Sequence, residues 1–182
     1  FAVFGSKSGF NSLQECFGDL TPYIKAIETG LSSDPAMNWR WSKLDEICLV
    51  SNSDAHSGPQ IGREANAMEL GSQIYDEIVD IISKKDKKRF LYTIEFFPEE
   101  GMYHWDGHRD CSFSCSPIDT KKYKGLCPKC KKPLTIGVLN QVDKLSDLPE
   151  SKIDTSRHIT YKNIIPLPLI IADYYGVGRE TK

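Results

Sequence analysis

Four cysteines within a short segment most constrain what this chain can fold into. Cys111, Cys115, Cys127 and Cys130 follow the spacing C-x3-C-x11-C-x2-C. Two close pairs joined by a loop can bring four thiolates to one tetrahedral zinc ion, and a closed set of four protein ligands is typical of a structural site. The spacing therefore predicts a small zinc-ribbon module with four cysteine ligands. Buried free cysteines are the alternative, but Lys- and Pro-rich flanks offer little core to hold them.

Two histidines precede this cluster and leave its ligand set open. His104 and His108 lie four residues apart in the segment YHWDGHRDC. Either could replace one thiolate, and together they could form a second metal site. They could also orient neighbouring side chains or contact a ligand. We favour the four thiolates as the zinc ligands.

The remaining composition is that of an ordinary globular chain. Hydrophobic residues make up 40% and charged residues 26%, and no run approaches the roughly 18 apolar residues of a membrane span. The segment after Phe1 lacks the basic start and apolar run of a signal peptide, so we expect the chain to begin inside a longer protein. Cys16 and Cys48 stand alone, which favours a reducing, cytoplasmic location over a disulfide framework.

The pattern of apolar residues predicts three parts. We expect an α/β region over 1–85, the ribbon module over 86–145 and the start of a helical region over 146–182. Within them the sequence predicts short helices over 11–19 and 20–30, a buried strand over 47–50, a loop or short helix over 61–71, an amphipathic helix over 72–88, a strand from 89 to 98, a strand or helix onset over 135–147, and a final helix that stops at Gly176 or Gly178.

Asp54 and His56 directly follow the predicted buried strand, in the segment NSDAHSG. In an extended chain residues two apart face the same side, and ligands of α/β proteins collect outside the carboxyl ends of strands. A carboxylate and an imidazole on one face suit a divalent metal that activates water for hydrolysis. A core histidine capped by an aspartate gives the same pattern, so the motif alone leaves both open.

Positive charge is concentrated in the second half of the chain. Residues 84–144 hold 13 Lys and Arg against 8 Asp and Glu, although the whole chain has a formal charge of −2. A basic segment can neutralise the phosphates of a nucleic acid, or it can be a solvated surface. The ribbon segment contributes Lys121, Lys122, Lys124, Lys129, Lys131 and Lys132.

Several longer blocks resemble endonuclease Q, a family built on the PHP phosphoesterase domain. They are FGSKSGFNSLQECFGD, AIETGLSSDPAMNWR, NSDAHSGPQIGREAN, FFPEEGMYHWDGHRDCSFSC and CPKCKKPLTIGVLNQVDKLSD. The resemblance implies an α/β fold, with part of a distorted PHP-type (β/α)7 barrel followed by the four-cysteine zinc-ribbon module and a helical C-terminal segment.

The resemblance also implies an activity. Endonuclease Q is a metal-dependent DNA repair endonuclease that cuts the backbone 5′ of uracil, hypoxanthine, xanthine or an abasic site. Asp54 and His56 would be the last ligands of a catalytic centre that holds Zn²⁺, Mg²⁺ or Mn²⁺. In such enzymes the other ligands of that centre come from motifs earlier in the PHP domain, and the sequence from Phe1 onward does not contain them. We therefore expect the chain alone to be inactive.

The predicted partner is DNA that contains a deaminated base, and we expect no membrane partner. A damaged base would be flipped out of the duplex to be read, and Tyr103 or Trp105 could stack on it. The predicted substrate contacts are Asn52 and Ser32 near the lesion, with Lys7, Arg40 and Arg63 as candidates for phosphate.

Two other functions fit parts of this pattern. A PHP-type phosphatase could act on a small phosphate ester such as histidinol phosphate, but such a substrate needs no basic appendage. A non-enzymatic zinc-ribbon interaction module would leave the Asp54–His56 motif without a catalytic role.

Overall fold

The computed structural model describes residues 2–5 and 8–178, and within these ranges the chain has a mixed α/β fold with three sheets. The predicted contact Lys7 lies outside the described residues. The strands are β1 (Ala26–Glu28), β2 (Cys48–Val50), β3 (Ala65–Met68), β4 (Phe90–Glu95), β5 (Asp106–His108), β6 (Phe113–Cys115) and β7 (Thr160–Asn163). The helices are α1 (Leu13–Phe17), α2 (Pro35–Trp39), α3 (Tyr75–Ser83), α4 (Pro117–Lys122), α5 (Val138–Leu145) and α6 (Leu167–Tyr175).

The first sheet is a parallel pair of β1 and β2, with Ile27 opposite Leu49. The buried strand predicted after residue 46 is confirmed as β2. The helix predicted over 20–30 is wrong at its end, because Ala26–Glu28 forms β1. Ile27 of β1 is buried in the hydrophobic core. The pairing of β1 with β2 therefore outweighs the helical pattern of the local sequence.

The second sheet has the order β3-β4-β7, with β3 antiparallel and β7 parallel to β4. The strand predicted from residue 89 is confirmed as β4. The loop or short helix predicted over 61–71 is wrong over Ala65–Met68, which pairs with β4. All four residues of β3 are half-buried, so no alternation in the sequence marked this segment as a strand.

Two hydrophobic clusters hold the elements together. The larger one gathers Trp39 of α2, Leu49 of β2 and Val142 of α5 with the edge-to-face pair Phe4 and Trp41. The smaller one packs α3 against the second sheet and includes Cys48, Ile81, Phe90 and Ile159. Helix α5 therefore joins the segment that follows the cysteines to the core of the first region.

The third sheet is the antiparallel hairpin of β5 and β6, which is followed by α4. Isolated bridges join Gly107 to Thr135 and Leu126 to Pro133, so the four-cysteine segment folds back on itself. The predicted division at residues 85 and 145 stays a prediction. No helix within 2–5 and 8–178 has the length and apolarity needed to cross a lipid bilayer.

Adjacent residues of β4 give a direct test of the smaller cluster. Phe90 is fully buried, whereas Leu91 on the opposite face is 44% exposed. We expect Phe90→Ala to lower the free energy of unfolding by about 3–5 kcal/mol, because a large buried side chain leaves a cavity. Leu91→Ala should change it by less than about 1 kcal/mol. Urea denaturation followed by circular dichroism measures both, and equal effects would contradict this packing.

Candidate functional site

Two sheets meet at the carboxyl ends of their strands. The hydroxyl of Thr29, just after β1, donates to Oε2 of Glu95 at the end of β4 over 2.8 Å. The hydroxyl of Ser51, just after β2, donates to the carbonyl of Ile94 over 2.7 Å. The ends of β1, β2 and β4 therefore lie side by side, which is where an α/β protein places a ligand.

Two buried carboxyl groups lie beneath this edge. Burial, together with the nearby charge of Glu64, raises the pKa of Glu95 to about 7, although hydrogen bonds from the hydroxyl groups of Thr93 and Thr29 lower it. Burial also raises the pKa of Glu64. Oε1 of Glu64 accepts from the N–H of Phe96 over 3.0 Å, while its buried Oε2 has no hydrogen-bond partner among the described residues. Neither group was predicted, since isolated glutamates carry no sequence signal of burial.

Asp54 and His56 lie on the loop directly after β2. Their side chains are 64% and 79% exposed, and Nδ1 of His56 is 4.0 Å from Oδ1 of Asp54. Nδ1 also lies 2.8 Å from the carbonyl of Asp54. A carbonyl can only accept, so Nδ1 donates in this hydrogen bond, and in the neutral ring Nε2 then keeps a free lone pair. An open carboxylate beside an open imidazole nitrogen fits two ligands of a divalent metal.

Polar side chains connect this loop to both neighbouring strands. Asn52 donates to Oε2 of Glu28 over 3.0 Å. The amide of Asn66 in β3 pairs with the backbone of Ser51, accepting from its N–H over 2.9 Å and donating to its carbonyl over 2.7 Å. Asn66 also donates to Oδ1 of Asn52 over 3.3 Å. The predicted contact Asn52 is therefore exposed beside Asp54, and hydrogen bonds to Glu28 and Asn66 hold its side-chain amide.

The other predicted substrate contacts lie elsewhere. The carbonyl of Ser32 bonds to Nδ1 of His104 over 3.1 Å, where the loop after β1 meets the segment before β5. Nη2 of Arg40 lies 2.7 Å from Oδ1 of Asp143 in α5, and its Nε is buried. Arg40 thus forms an ion pair that links the end of α2 to α5. The predicted contact of Arg40 with phosphate stays a prediction.

The sulfur cluster contains three of the four predicted cysteines and one histidine. His108, Cys111, Cys127 and Cys130 each present a ligand atom, and these atoms lie within 4.8 Å of one another. Among residues 2–5 and 8–178, these four side chains form the one group of at least three possible ligands that lie close enough together to hold a metal ion. Three thiolates with one imidazole are a donor set suited to zinc.

Cys115 lies outside this group, and its Sγ contacts Oγ1 of Thr120 over 3.3 Å. The register of the hairpin explains the difference. His108 pairs with Phe113, whereas Cys115 pairs with Asp106, two residues further from the turn. Two residues of a strand span about 7 Å, so His108 lies within the group of close ligand atoms and Cys115 does not.

One signal in the sequence distinguishes the two ligand sets. His108 and Cys111 form an H-x2-C pair that matches the C-x2-C pair of Cys127 and Cys130, whereas Cys111 and Cys115 are spaced C-x3-C. Backbone N–H groups act within the second pair: although burial opposes ionisation, N–H groups of Cys130 and Lys129 point at Cys127 and lower its pKa.

An open cavity of about 570 Å³ lies beside this cluster and is partly lined by aromatic side chains. Tyr103 is 65% and Trp105 38% exposed, and both border it with Arg109 and Phe113. The six lysines of the segment are all exposed; they are Lys121, Lys122, Lys124, Lys129, Lys131 and Lys132. Exposed aromatic rings beside cations are the features with which proteins hold single-stranded bases and phosphates.

Two solved structures that are similar to this chain are lesion-directed endonucleases. The chain is similar to the lesion-specific endonuclease PfuEndoQ of Pyrococcus furiosus, with a TM-score of 0.79 and 29% identity over 96% of this chain and 43% of that one. It is also similar to endonuclease Q in complex with a 27-mer duplex substrate that has an abasic lesion at the active site, with a TM-score of 0.82 and 30% identity over 96% of this chain and 44% of that one. The predicted resemblance is confirmed: the chain is similar to solved endonuclease Q structures over 96% of its length.

Two curated relatives are uncharacterized proteins. MJ0043 of Methanocaldococcus jannaschii is 32% identical over 95% of this chain and 22% of its own length. YqxK of Bacillus subtilis is 30% identical over 94% of this chain and 41% of its own length. The chain therefore spans less than half of each relative. No protein-family model matches it.

The buried carboxyl of Glu95 predicts a pH-dependent contribution to stability. Its folded pKa, about 7, lies above the ordinary value of 4.5, so the folded state binds this proton more tightly. Stability from Glu95 is complete below about pH 4.5 and is lost as the pH rises through about 7, by roughly 3 kcal/mol. Glu95→Gln imitates the protonated form and should remove this loss. Urea denaturation from pH 5 to pH 8 compares the variant with wild type, and parallel curves would contradict the assignment.

Proposed function

We propose that this chain is part of a metal-dependent DNA repair endonuclease that cuts the phosphodiester backbone 5′ of a deaminated base or an abasic site. The observation that carries the proposal is the likeness, over 96% of the chain, to an endonuclease Q bound to a duplex with an abasic lesion at its active site. Uracil, hypoxanthine and xanthine share a carbonyl where an amine was, so a pocket lined by N–H donors would accept all three and reject the undamaged base.

In this proposal Asp54 and His56 hold one ion of a divalent metal centre, with Zn²⁺, Mg²⁺ or Mn²⁺ as candidates. Such a centre supplies a nucleophilic water and stabilises the leaving oxygen. The exposed carboxylate and free Nε2 at the end of β2 support this role. The strands β1 and β2 would belong to a partial PHP-type barrel, and the other metal ligands would come from other parts of the protein, so the chain alone should not cut DNA.

Residues around the sulfur cluster would hold the DNA. Its lysines would contact phosphates, and Tyr103 and Trp105 would stack on an unpaired base, while Asn52 and Ser32 would lie near the lesion. A cytoplasmic location suits the cluster, because all six cysteines are free thiols and a reducing compartment keeps them available for metal.

Cleavage of a lesion duplex tests the function. The substrate is a 5′-labelled duplex with one deoxyuridine, incubated with Mn²⁺ or Mg²⁺ and the full-length protein that contains this chain. We expect a cut 5′ of the deoxyuridine, and a loss of roughly 100-fold or more in Asp54→Ala, because a metal ligand supports several kcal/mol of transition-state stabilisation.

Two controls sharpen this experiment. Asp19→Ala removes an exposed carboxylate that is distant in sequence from Asp54, and this variant should cut at the wild-type rate. An undamaged duplex should stay intact. A metal-loaded protein that ignores the lesion but hydrolyses a small phosphate ester would replace the nuclease by the phosphatase; one that does neither would favour a binding module.

Zinc content tests the ligand set of the cluster. Zinc in a four-ligand structural site is bound by about 10–16 kcal/mol, so one ligand carries roughly 3 kcal/mol and its loss should weaken binding about 100-fold. We expect His108→Ala to lose zinc in competition with a chelator and Cys115→Ser to keep it. Elemental analysis after dialysis measures this. The reverse result would restore the four-cysteine set.

A further inference from the structure

The loop that carries Asp54 and His56 is hydrogen-bonded to the segment just before β3. The guanidinium of Arg63 makes two of these hydrogen bonds. Its Nε donates to the carbonyl of Ser53 over 2.7 Å, and its Nη2 donates to the carbonyl of Asp54 over 3.3 Å. One planar guanidinium therefore fixes two consecutive peptide groups of this loop, a geometry that a lysine ammonium cannot reproduce.

The backbone needs such support at Asp54. Its φ of 45° is left-handed, a conformation that is unfavourable for residues with a side chain. The side chain of Asp54 is exposed and is not held by packing. Hydrogen bonds from Arg63 to the carbonyls on both sides of this residue therefore stabilise the turn that points its carboxylate outward.

The same carbonyl also orients the histidine. The carbonyl of Asp54 accepts from Nδ1 of His56 and from Nη2 of Arg63. The bond at Nδ1 selects the tautomer that leaves Nε2 free for a metal, and partners of this kind behind a metal-binding histidine set its direction and basicity. The N–H of His56 donates in turn to Oε1 of Gln60 over 2.8 Å.

We propose that Arg63 is a positioning residue for the metal ligands Asp54 and His56, rather than a contact to phosphate. The proposal rests on the proposed role of these two residues in a metal centre. Arg63 is half-buried and two of its donor nitrogens are engaged with the loop. It acts through the Asp54 carbonyl, which fixes both the turn and the imidazole tautomer.

The first test reads the tautomer directly, without metal or DNA. Nitrogen-15 NMR of the neutral imidazole rings distinguishes a proton on Nδ1 from one on Nε2, and His56→Gln assigns the signal. We expect wild type to hold the proton on Nδ1. Arg63→Ala should give a mixture of tautomers, and Arg63→Lys an intermediate one, because lysine offers a point charge instead of a fork.

The second test measures metal binding and turnover in the full-length protein. Loss of an outer partner of a metal ligand typically weakens metal affinity by 10–100-fold, and we expect a Mn²⁺ affinity reduced to that extent in Arg63→Ala. The rate constant for cleavage at saturating DNA should fall, with the KM for DNA unchanged. Arg157→Ala is the matched control, since it removes an exposed arginine that pairs with Asp45.

The outcomes separate this inference from the proposed function. Unchanged tautomer and Mn²⁺ affinity in folded Arg63→Ala would overturn the positioning role, and a raised KM for DNA alone would assign Arg63 to phosphate. If wild type cuts no lesion duplex, the tautomer and metal measurements still decide the role of Arg63. Circular dichroism checks folding, and Arg63→Lys replaces Arg63→Ala in every comparison if the alanine variant does not fold.

Discussion

The buried carboxyl of Glu95 connects two sheets, and the geometry of the strand ends depends on this connection. It accepts hydroxyl bonds from Thr29, which follows β1, and from Thr93 of its own strand. A buried polar group that lost these partners would face a desolvation penalty of about 1–3 kcal/mol. The junction therefore tolerates few arrangements, and it fixes where β1 and its paired strand β2 end relative to β4. A protonated carboxyl suits such a position, because it can donate as well as accept.

The loop that carries Asp54 and His56 inherits its position from this junction. Ser51 is its first residue, and the bond from its hydroxyl to Ile94 ties the start of the loop to β4. Asn66 then occupies both backbone groups of Ser51, as a neighbouring strand would. From there to His56 the loop is supported by side chains of the segment over 60–66, not by packing in a core. Exposed side chains on a rigid frame suit the proposed metal centre, since a metal must reach its ligands while their directions stay fixed.

The parts of this architecture that could be predicted are those encoded by adjacent residues. The apolar run before Asp54 predicted β2, and the polar residues after it predicted a site at the strand end. β3 could not be predicted, because its half-buried residues do not alternate and only its pairing with β4 defines it. Glu64 and Glu95 were invisible for the same reason: burial comes from distant segments. The presence of His108 in the close group, in place of Cys115, depends on the register of a hairpin. In the sequence, this register is indicated only by the matching H-x2-C and C-x2-C pairs.

The segment that carries the sulfur cluster is attached to the rest of the chain by bonds that do not involve metal. His104 is buried against the carbonyl of Ser32, and Gly101 lies so close to this loop that a Cβ would be 2.5 Å from the carbonyl of Leu31. On the other side, the buried carboxylate of Asp106 accepts from the N–H of Gly137 at the start of α5. The side chains that could hold a metal lie beyond these anchors, at the turn of the hairpin and on the facing C-x2-C loop. A metal bound there would act on the outer end of the segment, where the exposed lysines are, whereas the base of the segment is fixed by polar contacts to the loop that follows β1 and to the start of α5.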